Sequence, residues 1–417
     1  MNEDSITSKA REIIDKRIPF HKIEDYFNVD SNEATLIRIR ALELMRGKEL
    51  NSLRRFNIDM NYANNRNIEN PVGTIELPIG YAGDILVNNE SYSVFLATTE
   101  GRLTAGVSRG IKAINASGGV RAAIVDDGMT RDILIEFDSV LDSLKARELL
   151  ERDNVKSKLI DAFNSTTSHG GLIDIHGFLI ARQMHLRFKA FTGAAMGMNM
   201  VTIGAKEAAE RFIEILQSNG IEARILSESG NMDTDKKPAA IDYILGRGVS
   251  VIAESLVSYE ALRDILKVSE PKNIEKLNIA KNYLGSAYAG SHGFNAHVAN
   301  ILAAMFIAHG QDAAQIVEGS QAFTYIENID DKNLLYISVT INSLEVGTIG
   351  GGTGLPKQKE LLSYNNLYGI EDKEGVTRKR FAMLVAAVAL AGELNLLAIQ
   401  EELKLSHSHK TIKRDVK

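Results

Sequence analysis

Asp132-Ile133-Leu134-Ile135-Glu136-Phe137 and Met184-His185-Leu186-Arg187-Phe188 are the stretches on which the reading of the fold turns. Both mix apolar and polar positions as β-strands do. Helical patterns follow them, over residues 139–152 and 205–220, the second closing on Gly220 as a C-cap. Strands mixed with helices over residues 132–227 predict a compact α+β module. Outward from it the chain changes character. Residues 1–68 read as helical and polar, with Leu36, Ile39, Leu42 and Met45 predicted on one helical face. Residues 69–131 open with turn-rich segments, then a strand over 91–97 and a loop entering a helix over 101–114. Residues 228–417 hold a small-residue loop (229–240), a buried helix near 298–308, a Gly-Gly-Gly loop and a second apolar helix over 378–402. No internal repeat or low-complexity segment interrupts this order.

The chain has 417 residues, enough for two to three domains and a sizeable core. It lacks cysteine, which removes disulfides, thiolate nucleophiles and zinc–cysteine sites from consideration. Lysine and arginine number 48 against 54 acids, a net charge of −6 that gives no sign of nucleic-acid binding. The basic C-terminal tip reads as a solvated tail, and the polar N-terminus is no signal peptide. Residues 381–392 are uncharged but bounded by Arg380 and Glu393, and residues 282–311 carry many polar side chains, so neither is expected to span a bilayer. A soluble, intracellular (cytoplasmic) protein with no membrane contact is the expectation.

Six segments could carry chemistry, and each has a plainer reading. Ala97-Thr98-Thr99-Glu100-Gly101 sets a carboxylate beside glycine, as a solvated loop or cap also would. Residues 227–238 pack Ser229, Asn231, Asp235, Lys236 and Lys237 against Pro238. Such a segment can bind an anion or steady a developing oxyanion, and it can equally be a polar surface turn. Asp312 closes a stretch almost without charge, where a buried carboxylate needs a partner, structural or catalytic. The glycine-rich run 347–354 lacks the lysine of a phosphate loop, and the Met-rich run 193–200 lacks the dinucleotide fingerprint. The first reads as a flexible turn or a close approach to a ligand, the second as core filler or a cofactor surface. His407 and His409 in the tail suit a proton donor, a chance metal site or a solvated end. His169, His176 and His185 show no metal-ligand spacing, and no metal is expected.

Taken in order, ENPVG…LPIGYAG, ATTEG, DDGMTR, AAMGMNM, SGNMDTDKKPAA…GRG, GSAYAG, GFNAHVAN, GQDAAQ, EVGTIGGGTGLP and AGELNLLA resemble 3-hydroxy-3-methylglutaryl-CoA (HMG-CoA) reductase from Glu69 to about Arg414. The DTDKKPAA segment is similar to the class I branch, and the lack of an anchor to the soluble archaeal form. The resemblance implies an α+β protein: a small helical N-terminal domain (1–68), a large α/β catalytic domain with a long central helix (69–132 and 227–417), and an inserted ferredoxin-like cofactor domain (133–226). It implies reduction of HMG-CoA to mevalonate and CoA by two NADPH, in homo-oligomers built from dimers whose active sites lie between subunits. The implied catalytic residues are Lys236 for the oxyanion, Glu100 as proton donor, Asp312 coupled to both, and His407 for the CoA thiolate. Implied substrate contacts are Arg131, Ser229, Asn231, Asp235, Lys237, Lys281 and Asn300, with Arg109 and Lys112 on the CoA side. Implied cofactor contacts are Thr167, Ser168, His169, Gly193, Met196, Gly197, Met198, Asn199, Gly350 and Gly351.

Departures from the family pattern fall mainly on the cofactor side. Ala194 stands for an aspartate, and Thr167-Ser168-His169 lacks the family's arginine. Gly106 replaces a serine, and Asp242 stands where asparagine is common. An arginine commonly accommodates the 2′-phosphate of NADPH, so NADH stays open as the hydride donor. The rivals are the same fold running oxidatively with NAD and a non-catalytic acyl-CoA-binding relative.

Overall fold

The computed structural model describes residues 2–402, which form two compact units. One unit comprises the chain up to Pro78 together with Gly354–Lys359; the other comprises Ile79–Thr353 and the chain from Glu360 onward. The first unit thus runs ten residues beyond the expected break at 68. Gly73 lies against the Leu53 carbonyl, which holds the extended segment to its own unit.

In the first unit, Asn2 and Asp30 cap the helices Glu3–Lys16 and Ser31–Arg46 by accepting from Ser5 N (2.9 Å) and Glu33 N (2.8 Å). Its core is Ile6, Ala10, Ile13, Ile23, Ala34, Ile37 and Ala41. Of the expected face, Ile39 is buried, Leu36 packs on this core and Leu42 is half-buried, but Met45 is exposed, and Ala34, Ile37 and Ala41 supply the helix's share of the core. Arg38 is also buried there, its guanidinium donating to the Phe20 carbonyl (3.0 Å) and to Glu24 (2.5 Å). Apolar counting alone cannot foresee a satisfied buried ion.

The second unit begins with a hairpin, β1 (Ile79–Val87) and β2 (Glu90–Ala97). Its turn is Asn88-Asn89, both at positive φ, the geometry a two-residue hairpin requires. After the helix Leu103–Ala116 comes β3 (Arg121–Phe137), a 17-residue strand on which the rest is hung. Next come the helices Val140–Leu150 and Asp153–Asn164, then β4 (Gly171–Ile180), β5 (Gln183–Phe191), the helix Met198–Ser218 and β6 (Ala223–Ser227). The sheet is completed by β7 (Gly248–Ser258), β8 (Phe323–Ile329) and β9 (Leu334–Leu344).

All ladders are antiparallel, in the order β4-β5-β3-β7-β9-β8, with β6 also on β3. The two halves of β3 serve different neighbours. Residues 121–128 pair with β7, and residues 129–136 pair with β5. Met129, Ile133, Ile135 and Phe137 enter a core with the helices of residues 140–218, while Ala122 and Ile124 pack on a second core around Val376–Glu401. The stretch quoted at the outset, Asp132–Phe137, is thus the end of a longer strand. The helix expected from 205 begins at Met198, so the last three residues of the Met-rich run are helical.

The helix Val376–Glu401 is long and apolar enough to cross a membrane by length and composition, but it is mostly buried in this unit. Its buried acid, Glu393, accepts from Ala296 N (2.7 Å), His297 N (2.7 Å) and Thr324 Oγ1 (2.7 Å). Buried carboxylates persist when so satisfied. The helix Leu103–Ala116 crosses it at Gly110, where a Cβ would lie 2.0 Å from the Ala391 carbonyl oxygen. We expect Gly110→Ala to force the helices apart and cost about 2–4 kcal/mol of stability, read as a lower denaturation midpoint in urea.

Candidate active site

The loop between β6 and the helix Ala240–Leu245 carries most of the predicted chemistry, and its shape is imposed from below. Asp132, buried on β3, accepts from Met232 N (2.9 Å) and pairs with His185 Nδ1 (2.7 Å), while its own carbonyl accepts from Gly230 N (3.0 Å). A Cβ at Gly230 would lie 2.2 Å from the Asp132 carboxylate, so only glycine fits there. Burial raises the Asp132 carboxyl above the usual range, against the pull of His185. Asn231, Thr234 and Lys236 all take positive φ, and the loop needs strong anchors to hold them so.

Arg247 is the main anchor. Its buried guanidinium donates to the Thr130 carbonyl (2.9 Å), the Asp233 carbonyl (2.9 Å), Asp235 Oδ1 (3.0 Å) and Glu345 Oε1 (2.5 Å). Beside it, Arg131 donates to Ser229 Oγ (3.1 Å), Asp233 Oδ2 (2.9 Å) and Thr202 Oγ1 (2.9 Å). Lys237 turns back to the Asp235 carbonyl (3.0 Å), and Thr234 hydrogen-bonds Asp242. Asp242 also accepts from Gln321 (2.7 Å), so this departure from the family's asparagine is fully engaged.

Lys236 points away from the anchors, half exposed, and its Nζ lies 3.0 Å from Asp312 Oδ2. That contact raises the lysine above its ordinary value, so it stays cationic. Asp312 is held in turn by Ala314 N, which donates to its Oδ1 (3.0 Å). Glu100 forms a separate pair: Asn300 Nδ2 donates to its Oε1 (3.4 Å), and its own N–H is fixed by Thr98 Oγ1 (3.0 Å). Lys236 and Asp312 are thus in direct contact, as are Glu100 and Asn300. No hydrogen bond links the two pairs among the described residues. Lys281, lowered by burial, donates to Asn282 Oδ1 (3.0 Å). Arg109 donates to the Leu266 carbonyl (3.1 Å), while Lys112, three residues on, is exposed. His407 and His409 lie outside the described residues.

The predicted cofactor residues divide. Thr167, His169, Gly193 and Gly197 line a cleft of about 740 Å³, a size that suits a nucleotide. Ser168 borders it through a contact to His169 Nδ1 (2.9 Å). Met196 and Met198 pack on the core of residues 129–221, and Asn199 is exposed at the start of its helix. Gly350 and Gly351 are exposed and do not line the cleft, although the neighbouring Ile349 does. The opposite wall, Gly369 to Lys373, was missed because no motif marks it. It brings Glu371, Asp372 and Lys373. Asp372 is already committed, accepting from Val376 N (3.0 Å) and Thr377 N (2.6 Å) at the start of the central helix.

Two buried acids also escaped the sequence reading, Glu318 and Glu345. With Asp235 they place carboxylate oxygens within 4.8 Å of one another. Arg247 already supplies a positive charge to two of the three, so the group reads as a charge cluster and not as a metal site. Burial pushes Glu318 up to about 7 and Glu345 well above the carboxylate range. Asp235 lies lower than usual: burial opposes this, but Arg247 and Gln315 outweigh it. We expect Arg247→Met to cost about 3–5 kcal/mol near pH 8, where the acids are left uncompensated. The cost should shrink near pH 5.5 as they take up protons, checked by urea unfolding at both values.

Residues 34–414 match the family model described as hydroxymethylglutaryl-coenzyme A reductase. The 3-hydroxy-3-methylglutaryl-coenzyme A reductase of Pyrococcus abyssi is 43% identical over 420 residues, covering 99% of this chain and all of the relative. That of Aeropyrum pernix is 44% identical, over 92% of this chain and 90% of its own length. Among solved structures, the reductase of Streptococcus pneumoniae superposes with a TM-score of 0.63 at 20% identity, over 80% of this chain and 87% of that one. A second structure, titled as the class II enzyme of that species bound to NADPH, gives a TM-score of 0.62 at 21% identity, over 80% of this chain and 78% of that one. The fold agrees with these structures, and with the family match spanning nearly the whole length, the chain belongs to the hydroxymethylglutaryl-coenzyme A reductase family.

Proposed function

We propose that the protein reduces HMG-CoA to mevalonate and free CoA with two NADPH, as a biosynthetic class I enzyme of archaeal type. The observation that carries this reading is the Lys236–Asp312 pair, a cation held at 3.0 Å on a strained, strongly anchored loop. A fixed ammonium is what a carbonyl needs when it becomes an oxyanion.

Bound NADPH would supply the hydrides. The remaining work falls to the chain. Lys236 meets the negative charge that develops on the thioester oxygen, and again on the aldehyde oxygen. Asp312 keeps it cationic and oriented. Glu100, exposed beside Asn300, delivers a proton to the oxygen of the reduced carbon. His407 protonates the departing CoA thiolate, the one thiol in a reaction on a chain without cysteine. Arg131, Lys237 and Lys281 suit the free carboxylate of the substrate, Ser229, Asn231, Asp235 and Asn300 its polar oxygens, and Arg109 and Lys112 the CoA side.

The strand order β6-β3-β5-β4, with helices after the first and third strands in sequence, supports a ferredoxin-like module over residues 133–226 inserted in the large domain (69–132 and 227–417), behind the helical leader 1–68. Its cleft, with hydroxyl and imidazole groups at 167–169 and a cation at Lys373, fits a nicotinamide nucleotide. NADH is the second reading. It is favoured by Glu371 in the lining and by the absence of arginine among the lining residues, since a carboxylate suits a free ribose hydroxyl better than a 2′-phosphate. The exposed approach to Lys236 also agrees with an active site completed by a second subunit, in a homo-oligomer built from dimers, working in the cytoplasm.

Lys236→Ala should lower kcat by at least about a hundredfold while HMG-CoA still binds. Absorbance at the nicotinamide band, with NADPH and NADH in turn, and calorimetric titration of HMG-CoA check both halves. Near-normal turnover in that variant would overturn the mechanism.

A further inference from the structure

Beneath Lys236 lies a group that the mechanism above does not use. Glu318 is almost wholly buried, and one of its oxygens accepts the backbone N–H of Lys236. The other oxygen has no hydrogen-bond partner, and neither does the second oxygen of Glu345. Lys236 sits at φ +60°, a left-handed conformation costly for lysine unless something holds it. The N–H bond to Glu318 fixes the backbone of the residue whose ammonium Asp312 holds.

We propose that Glu318 is a positioning residue for Lys236: its carboxylate holds the left-handed turn that aims the ammonium, and protonating it loosens that hold. The inference rests on the reductase reading and names a residue that acts through Lys236 without touching substrate.

The charges around Glu318 make protonation accessible. Asp235, Asp242 and Glu345 face it with negative charge; Arg247 and Lys236 face it with positive charge. Three clustered carboxyls and one guanidinium cannot all stay ionised at low cost, so a proton belongs to the cluster. Burial pushes Glu318 up to about 7, and its own unpartnered oxygen and that of Glu345 are where a proton would find an acceptor. The ionised form accepts the Lys236 N–H more strongly, because a charge-assisted bond is about twice as strong as a neutral one. It also adds negative charge that favours the ammonium.

Glu318→Gln mimics the protonated form without titrating. With the full chain, saturating HMG-CoA and reduced nicotinamide, the ratio of wild-type to Glu318→Gln kcat should be near one at about pH 6. It should rise to roughly tenfold at about pH 8, with KM for HMG-CoA changed less than about twofold. Glu318→Ala, which removes the acceptor, should stay below wild type at both values. A ratio that does not change with pH overturns the inference while leaving the reductase reading intact. Wild-type protein without turnover overturns the reading instead, and thermal unfolding then decides the titration. A buried acid with a raised pKa binds a proton on folding, so wild-type Tm should fall relative to Glu318→Gln as pH rises toward 8. Parallel Tm profiles would overturn it.

Discussion

The buried guanidinium of Arg247 is the constraint on which the site depends. It ties Thr130 on β3 to Asp233 and Asp235 in the loop and to Glu345 beyond β9. A cation with no exposure is tolerable only when its donors are satisfied and its charge balanced. Here the balance comes from the two acids it touches, with Glu318 close by. Their mutual repulsion gives the loop its electrostatic character, and the loop in turn presents Lys236 outward. Stability and chemistry therefore share one set of contacts. The strained turns at Asn231, Thr234 and Lys236 persist because the segments around them are bonded at so many points.

The long strand β3 explains how one sheet serves two tasks. Its first half builds the core around the central helix, and its second half builds the core beneath the nucleotide-sized cleft. Arg131 and Asp132 lie just past the change of cores, so the residues that fix the loop carrying Lys236 stand where the two halves meet. Arg378, at the start of the central helix, makes a similar link: it bonds Asp127 on β3 and the Ala195 carbonyl on the cleft wall.

Much of this could be read from the residues. The apolar helices near 298–308 and 378–402, the strand at 91–97 and the polar loop around Lys236 follow from spacing and turn chemistry. The catalytic candidates came from the family resemblance, not from periodicity. What stayed hidden depends on contacts distant in sequence. Nothing near Arg247 announces that it will meet Glu345, or that Glu318 will sit under the Lys236 amide. The second wall of the cleft, Gly369 to Lys373, carries no motif. On the helix Ser31–Arg46, Arg38 is buried beside the apolar positions because it found partners there. Alternation reports which side is apolar; it does not report which polar side chains will be satisfied inside.

The central claim is that one anchored lysine serves two successive carbonyl reductions. The most direct test is the stoichiometry of a complete progress curve with limiting HMG-CoA and excess NADPH. Two nicotinamides oxidised for each CoA released, with mevalonate as the product, is the predicted result. One nicotinamide for each CoA, or CoA release without any oxidation, would contradict it.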